Sequence, residues 1–234
     1  MTEGPLSRVA ILDLTDERGI YGAKLLADLG AKVYRPEPLT GDPLRLRGPF
    51  IQNKGQSKQS IWHAYFCSSR QSISLDLDSA VGIEQLELLL MKVDIVLTCS
   101  GAFGVDASKE ILSDKDREDL ILIDTCSFRP DCDWEDYQAP DIVAAALGGQ
   151  LATTGDADTA PLKNFGELNF MVSGAYTAIS ALSALYNRHE SGSGQHVEVS
   201  VHECIASCLE HVFMFYWYGA VSYTHLTLPT KRIV

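Results

Sequence analysis

The sequence predicts an α/β protein whose parallel sheet carries helices on both faces. Three observations lead there. Short apolar runs without alternation, "RVAILDL" (8–14), "DIVLTCS" (94–100) and "LILIDTCSF" (120–128), read as strands buried on both sides. Segments with helical spacing stand between them. The two kinds of element alternate along the first 128 residues, which is how a parallel sheet with crossover helices is written in sequence.

Each element follows from its own pattern. After the first strand, "GIYGAKLLADLG" (19–30) places Leu25, Leu26 and Leu29 at helical spacing and stops at Gly30. "AKVYRPE" (31–37) is a second strand, and "SISLDLD" (72–78) alternates as a third. "AVGIEQLELLLMKV" (80–93) is an amphipathic helix, and a weaker helix is expected over 107–117. Residues 129–140 are irregular and acidic. A helix within 139–156 is stopped by Gly148 and Gly149.

The clearest helix covers 171–189. Val172, Tyr176, Ile179, Leu182 and Leu185 form its large apolar stripe. Ser173, Thr177, Ser180 and Ala184 form a stripe of small residues that lets another backbone approach. Arg188 and His189 in its last turn complement the helix dipole. "HVEVSV" (196–201) then alternates as a strand, and a last helical segment rich in aromatics follows. The tail from 222, "SYTHLTLPTKRIV", has no helical period and contains a proline. It reads as a non-native scar, leaving 1–221 as one incomplete domain whose chain continues past about Ala220.

Composition limits the function. Of 234 residues, 46 % are hydrophobic and 21 % charged, ordinary for a globular protein, and no run of about 18 apolar residues suggests a membrane span. The apolar run near the start is too short for a secretion signal, so a cytoplasmic protein is expected. A net charge of −12 argues against nucleic acid and anionic membrane as partners. It does not exclude an anionic ligand, which needs only a few arginines or backbone N–H groups. The six cysteines form no C-x-x-C pair. Cys204 and Cys208, four apart, lie near His202 and His211, but buried thiols in a reducing compartment are the simpler reading and no metal is expected.

The first strand–helix turn, "LTDERGIYGAK", lacks G-x-G-x-x-G. Glu37, at the end of the second strand, is therefore read as structural rather than ribose-binding. His196 is either an acid–base group or a half-buried strand residue. Tyr21 either stacks on an adenine or packs. The aromatic cluster Phe213, Phe215, Tyr216, Trp217 and Tyr218 reads as apolar surface awaiting a partner segment or a second subunit.

One combination of motifs is more specific. A helix ending "LYNRHESGSGQHVEVSV" is preceded by "LGGQLATTGDADTAPLK". Near the start stand "LDLT" and "GAKLLADLGAKVYRPEPLTGDPLR", and later "SISLDL". Together these resemble the family III CoA-transferases, the formyl-CoA and carnitine CoA-transferase family, over about residues 6–220. The resemblance implies a Rossmann-like large domain, here incomplete, in an interlocked homodimer or in a heterodimer with a paralogue. It implies acyl-CoA as substrate and transfer of CoA to a carboxylate acceptor. In that chemistry an aspartate attacks the thioester, and the resulting anhydride is converted to an enzyme–CoA thioester. A glycine-rich loop would bind the oxyanions. Racemase relatives share the fold.

The chain departs from that pattern at the site. Counting back from Gly174 puts Phe170 where the resemblance expects the aspartate, and a slip of one residue gives Asn169. Glu167 is the nearest acid and a candidate substitute; it also reads as a solvated residue near a helix start. An expected asparagine–lysine–arginine run is Ser69-Arg70-Gln71. An expected E-N-F-x-P-G loop is Thr98-Cys99-Ser100-Gly101-Ala102-Phe103, and Arg129 stands where a glycine is usual. Tyr21, Arg35, Arg45, Arg70 and Ser100 remain as candidate CoA contacts. Three functions follow: an active transferase with a moved nucleophile, a catalytically inactive relative or partner subunit, and a racemase-type acyl-CoA enzyme.

Overall fold

The computed structural model describes residues 4–52, 58–76, 79–100, 117–156 and 158–219. Six strands form one sheet: β1 (Ala10–Leu14), β2 (Lys32–Glu37), β5 (Arg70–Ser74), β6 (Ile95–Thr98), β7 (Ile121–Cys126) and β8 (His196–Ser200). Their order is β5-β2-β1-β6-β7-β8, and every pairing is parallel. The order runs outward in both directions from β1, so the topological switch lies between β1 and β6. Ligands in open α/β sheets bind outside the carboxyl ends of the strands at such a switch.

Helices cover both faces. Ile11 and Leu12, adjacent in β1, point to opposite sides and join different cores. On one face Ile11, Val33, Ile95 and Ile123 pack under α1 (Ile20–Asp28) and the long α5 (Leu168–Ser191). On the other, Leu12, Val96 and Leu122 pack under α3 (Ala80–Leu90) through Leu86. β6 and β7 are buried at every residue, which is why their sequences do not alternate.

α5 begins three residues earlier than its periodicity suggests, and it buries the face of small residues. Ser173, Gly174, Thr177, Ala178, Ala181 and Ala184 face the protein, whereas Ile179 and Tyr186 are exposed. Close approach to α1 is the reason. A Cβ on Gly22 would lie 2.5 Å from the Gly174 carbonyl oxygen, and one on Gly174 would lie 2.7 Å from Tyr21 Cβ. Thr177 adds a hydrogen bond at 2.8 Å to Thr125 of β7. By length and composition α5 could cross a membrane, but here it lies along the sheet.

The G-x-G-Q turn is explained by backbone geometry. Gly192 closes α5 with φ +80°, and a Cβ on Gly194 would meet the Leu120 carbonyl oxygen at 2.0 Å. This turn precedes β8 and so lies at the amino ends of the strands. Arg188 ties α5 to the same end through Asp94 Oδ1 at 3.0 Å.

Several expectations need correction. A two-stranded hairpin, β3 (Phe50–Ile51) with β4 (Gln59–Ser60), and α2 (Ile61–Phe66) fill a stretch for which the sequence offered no element. The third sheet strand runs 70–74 rather than 72–78. The helix after Pro140 is α4 (Asp141–Leu147). The final helical segment is two helices, α6 (Val201–Ser207) and α7 (Glu210–Gly219), broken at Cys208 and Leu209. Of the helix expected over 107–117, residues 107–116 lie outside the described residues, as does the tail from 222. His196 is exposed at the start of β8. On α7, Phe213, Trp217 and Tyr218 are exposed.

Candidate functional site

Two polar assemblies stand near the carboxyl ends of the strands. The first surrounds Asp13, the completely buried acid of β1. Arg35 donates to Asp13 Oδ2 at 3.0 Å and to Asp42 Oδ2 at 2.6 Å, and Arg70 donates to Asp13 as well. Burial acts to raise the Asp13 pKa, but Arg70, Arg35 and the Thr15 hydroxyl overcome it and hold the carboxyl below its usual range. Arg35 and Arg70, candidate phosphate ligands in the sequence, each have a side chain only 2 % exposed and form buried ion pairs. Isolation of either charge would be costly, so these residues are committed to the fold.

Arg45 is the most open of the three expected cations, with its side chain 47 % exposed. It grips Glu37 through Nε at 2.8 Å and Nη2 at 2.7 Å. Burial opposes ionisation of Glu37, but Arg45, Ser72 and the Asp42 amide bring its pKa down to about 2. Glu37 is thereby a structural acid. A cavity of 510 Å³ opens beside this assembly, lined among others by Thr15, Glu17, Pro38, Leu44 and Leu75. Tyr21 packs edge-on against Phe66 at 6.1 Å. Ser100 donates to Asp124 Oδ2 at 2.6 Å, and its carbonyl accepts from Arg18 at 2.8 Å.

Asp42, His63 and Cys67 bring ligand-type atoms within 4.8 Å of one another. Arg35 already holds the Asp42 oxygen nearest His63. Burial and the neighbouring Arg45 lower the His63 pKa, and burial pushes the Cys67 thiol up to about 11. A guanidinium therefore takes the place at Asp42 that a metal cation would need.

The second assembly is the start of α5, where the sequence located the missing acid. Phe170 packs into an apolar cluster with Phe128, Ala144 and Ile205. Asn169, 1 % exposed, is the residue in polar surroundings. Its Nδ2 donates to Asp141 Oδ2 at 3.1 Å, and the backbone N–H groups of Asn169 and Phe170 donate to Asp141 Oδ1 at 3.0 and 3.2 Å. Lys163 Nζ reaches Asp141 Oδ2 at 2.9 Å. Asp141 thus opens α4 and caps α5, a favourable place for negative charge. Asn169 Oδ1 is buried with no hydrogen-bond partner. The amide orientation follows from these contacts, since a flip would set oxygen against carboxylate.

Glu167 immediately precedes α5 and pairs with Arg47, whose guanidinium lies 4.6 Å from the Trp62 ring centroid. Asp141, Lys163, Arg47 and Trp62 were not singled out by sequence reasoning. Asp141, Arg47 and Trp62 join Asn169 and Glu167 from distant parts of the chain, and no local spacing signals that; Lys163 lies only six residues before Asn169. Only the Pro140-Asp141 helix start was a recognisable cue.

Comparison with known proteins follows this geometry. The family model described as CoA-transferase family III matches residues 6–226. The chain is 30 % identical over 213 residues to the succinyl-CoA:(R)-benzylsuccinate CoA-transferase subunit BbsE of Thauera aromatica, covering 90 % of this chain and 52 % of that protein. It is 28 % identical over 224 residues to the succinyl-CoA:mesaconate CoA-transferase of Haloarcula hispanica, covering 91 % and 56 %. The crystal structure of a CAIB/BAIF family protein from Brucella suis superposes with a TM-score of 0.82 at 26 % identity, over 94 % of this chain and 59 % of that one. The chain spans about half the length of the curated relatives it matches.

Proposed function

Because the chain belongs to CoA-transferase family III, we propose that it binds a CoA ester and serves CoA transfer to a carboxylate acceptor as the subunit without the attacking group. The state of Asn169 carries this reading. The resemblance asks for a carboxylate at the start of α5, and an amide tied to Asp141 stands there. An amide is a poor nucleophile toward a thioester. The nearby acids do not replace it readily. Both oxygens of Asp141 accept hydrogen bonds, and Glu167 is paired with Arg47.

The cavity beside the strand ends supports binding of part of a CoA ester, with Arg45 as the exposed cation at its side. The Thauera relative is itself named a subunit, which supports pairing with a second chain that carries the aspartate. The mesaconate and benzylsuccinate in the relatives' names are dicarboxylic acids, which supports an acceptor of that class.

Equilibrium dialysis with labelled succinyl-CoA, followed by intact-mass measurement, tests the proposal. The expected result is bound CoA ester and no covalent CoA adduct. An adduct on Glu167 or Asp141 would make the chain an active transferase. Exchange of the α-proton of a suitable acyl-CoA would make it a racemase-type enzyme.

A further inference from the structure

The 510 Å³ cavity beside the strand ends falls within the size range of small-molecule sites, about 300–1,000 Å³. Pro36, Pro38, Leu39, Leu44 and Leu75 give it apolar walls. Its charged lining is one-sided. Among the described residues, the carboxylates of Asp16, Glu17, Glu37, Asp42 and Asp76 stand against one guanidinium, that of Arg35. Arg35 is already bound by Asp13 and Asp42, Arg18 holds Asp16, and Arg45 holds Glu37. Glu17 makes no hydrogen bond or ion pair with another described residue. An entering phosphate would meet this uncompensated carboxylate between apolar walls, where water and salt screen it poorly. A neutral group with N–H and O–H donors and methyl groups would meet acceptors and apolar surface instead.

Position decides which neutral group that is. The carbonyl of Arg18, the residue after Glu17, accepts from Ser173 Oγ at 2.7 Å. Ser173 lies one helical turn beyond Asn169, about 6 Å along the axis. The Glu17 side of the cavity therefore adjoins the start of α5, where a thioester would meet the position of the missing acid. The part of a CoA ester joined directly to its thioester is the uncharged pantetheine arm of amides and a hydroxyl, and the phosphates lie beyond it. We propose that the cavity holds the pantetheine arm and that Glu17 keeps the phosphates out, leaving them to solvent and the exposed Arg45. This rests on the CoA-ester reading above and adds which part of the ester the cavity takes and the residue that discriminates.

The test places a reporter in the cavity wall. Leu39 lines the cavity and is 72 % exposed, so Leu39→Trp adds an indole there without disturbing the core. Pantetheine and adenosine 3′,5′-bisphosphate, the phosphate-bearing end of CoA, are titrated separately into the Leu39→Trp chain, with the parent chain as blank. Pantetheine is expected to change the added fluorescence, and the bisphosphate to need at least tenfold higher concentration. In the same background Glu17→Gln should narrow that ratio severalfold and Glu17→Lys should close it, whereas general destabilisation would weaken both ligands together. Bisphosphate binding at the reporter as tightly as pantetheine, or a ratio unmoved in Glu17→Lys, would overturn the exclusion. Binding of labelled succinyl-CoA to the parent chain is measured by equilibrium dialysis. Succinyl-CoA binding with a reporter silent to pantetheine sinks the cavity assignment alone. A pantetheine response without succinyl-CoA binding sinks the CoA-ester reading and leaves the preference of the cavity standing. Silence in both sinks both.

Discussion

Asn169 Nδ2 lies 3.1 Å from Asp141 Oδ2, and the same carboxylate caps the backbone of the helix that Asn169 opens. The amide is therefore part of the local architecture. It supplies a hydrogen where an aspartate would bring a second negative charge.

Replacing Asn169 by aspartate places two carboxylates in one buried site, and one of them must retain its proton at neutral pH. A folded-state pKa raised above the unfolded value favours the fold at low pH and loses that contribution as pH rises through it. Asn169→Asp should cost about 2–4 kcal/mol at pH 7 and less at pH 4.5. Urea unfolding at both values checks it, and a deficit that does not shrink toward low pH would contradict the geometry. Asn169→Ala should cost about 1–3 kcal/mol with little pH dependence.

Glu37 predicts an acid limb. Its folded pKa of about 2 lies below the ordinary 4.5, so its contribution is complete above the unfolded value and is lost as pH falls toward 2. Stability measured between pH 5 and 2 should fall less steeply in Glu37→Gln than in the parent chain. Arg45→Ala should flatten the same limb, because Arg45 is the largest lowering influence on this carboxyl.

The contact between α1 and α5 depends on two glycines. Gly22→Ala would press a methyl carbon against the Gly174 carbonyl oxygen at 2.5 Å, where the obstacle is backbone and cannot rotate away. A loss of about 1–3 kcal/mol is expected in chemical denaturation, typical of overpacking. Gly166→Ala is the contrasting case: nothing lies within 4 Å, and only the positive φ of +73° opposes the change.

Thiol labelling should separate the cysteines. Cys99, Cys126 and Cys204 are buried, and burial pushes Cys126 and Cys204 each up to about 12. Cys208 is exposed. Timed alkylation at pH 8 with peptide mapping should modify Cys208 at least tenfold faster than those three, because the thiolate is the reacting species. Comparable rates would mean that the α6–sheet packing opens readily.

Arg35 and Arg70 show how the two levels of reading divide. Their charge suggested phosphate contacts. The residue they serve, Asp13, is in another strand and is identified as their partner only when β1, β2 and β5 are side by side. The same holds at α5. Its helical pattern and its stripe of small residues were plain, but only the fold shows that the backbone this stripe approaches is α1 at Gly22, while Val172, Tyr176 and Leu185 of the large stripe pack against the same core.

The sequence by itself determined the six strands of the parallel sheet, most of the helices and the family, because apolar periodicity and turn glycines are local signals carried by neighbouring residues. It also determined that no aspartate stands at 169 or 170. Only the tertiary structure decided that Asn169 is the polar position and Phe170 the core one, that Asp141 and Lys163 complete the site, and that Arg47 is the partner of Glu167. The reason is physical. Hydrogen bonds and ion pairs in a folded protein join residues that are close in space, here 28 and 120 positions apart along the chain, and no periodicity encodes such a pairing.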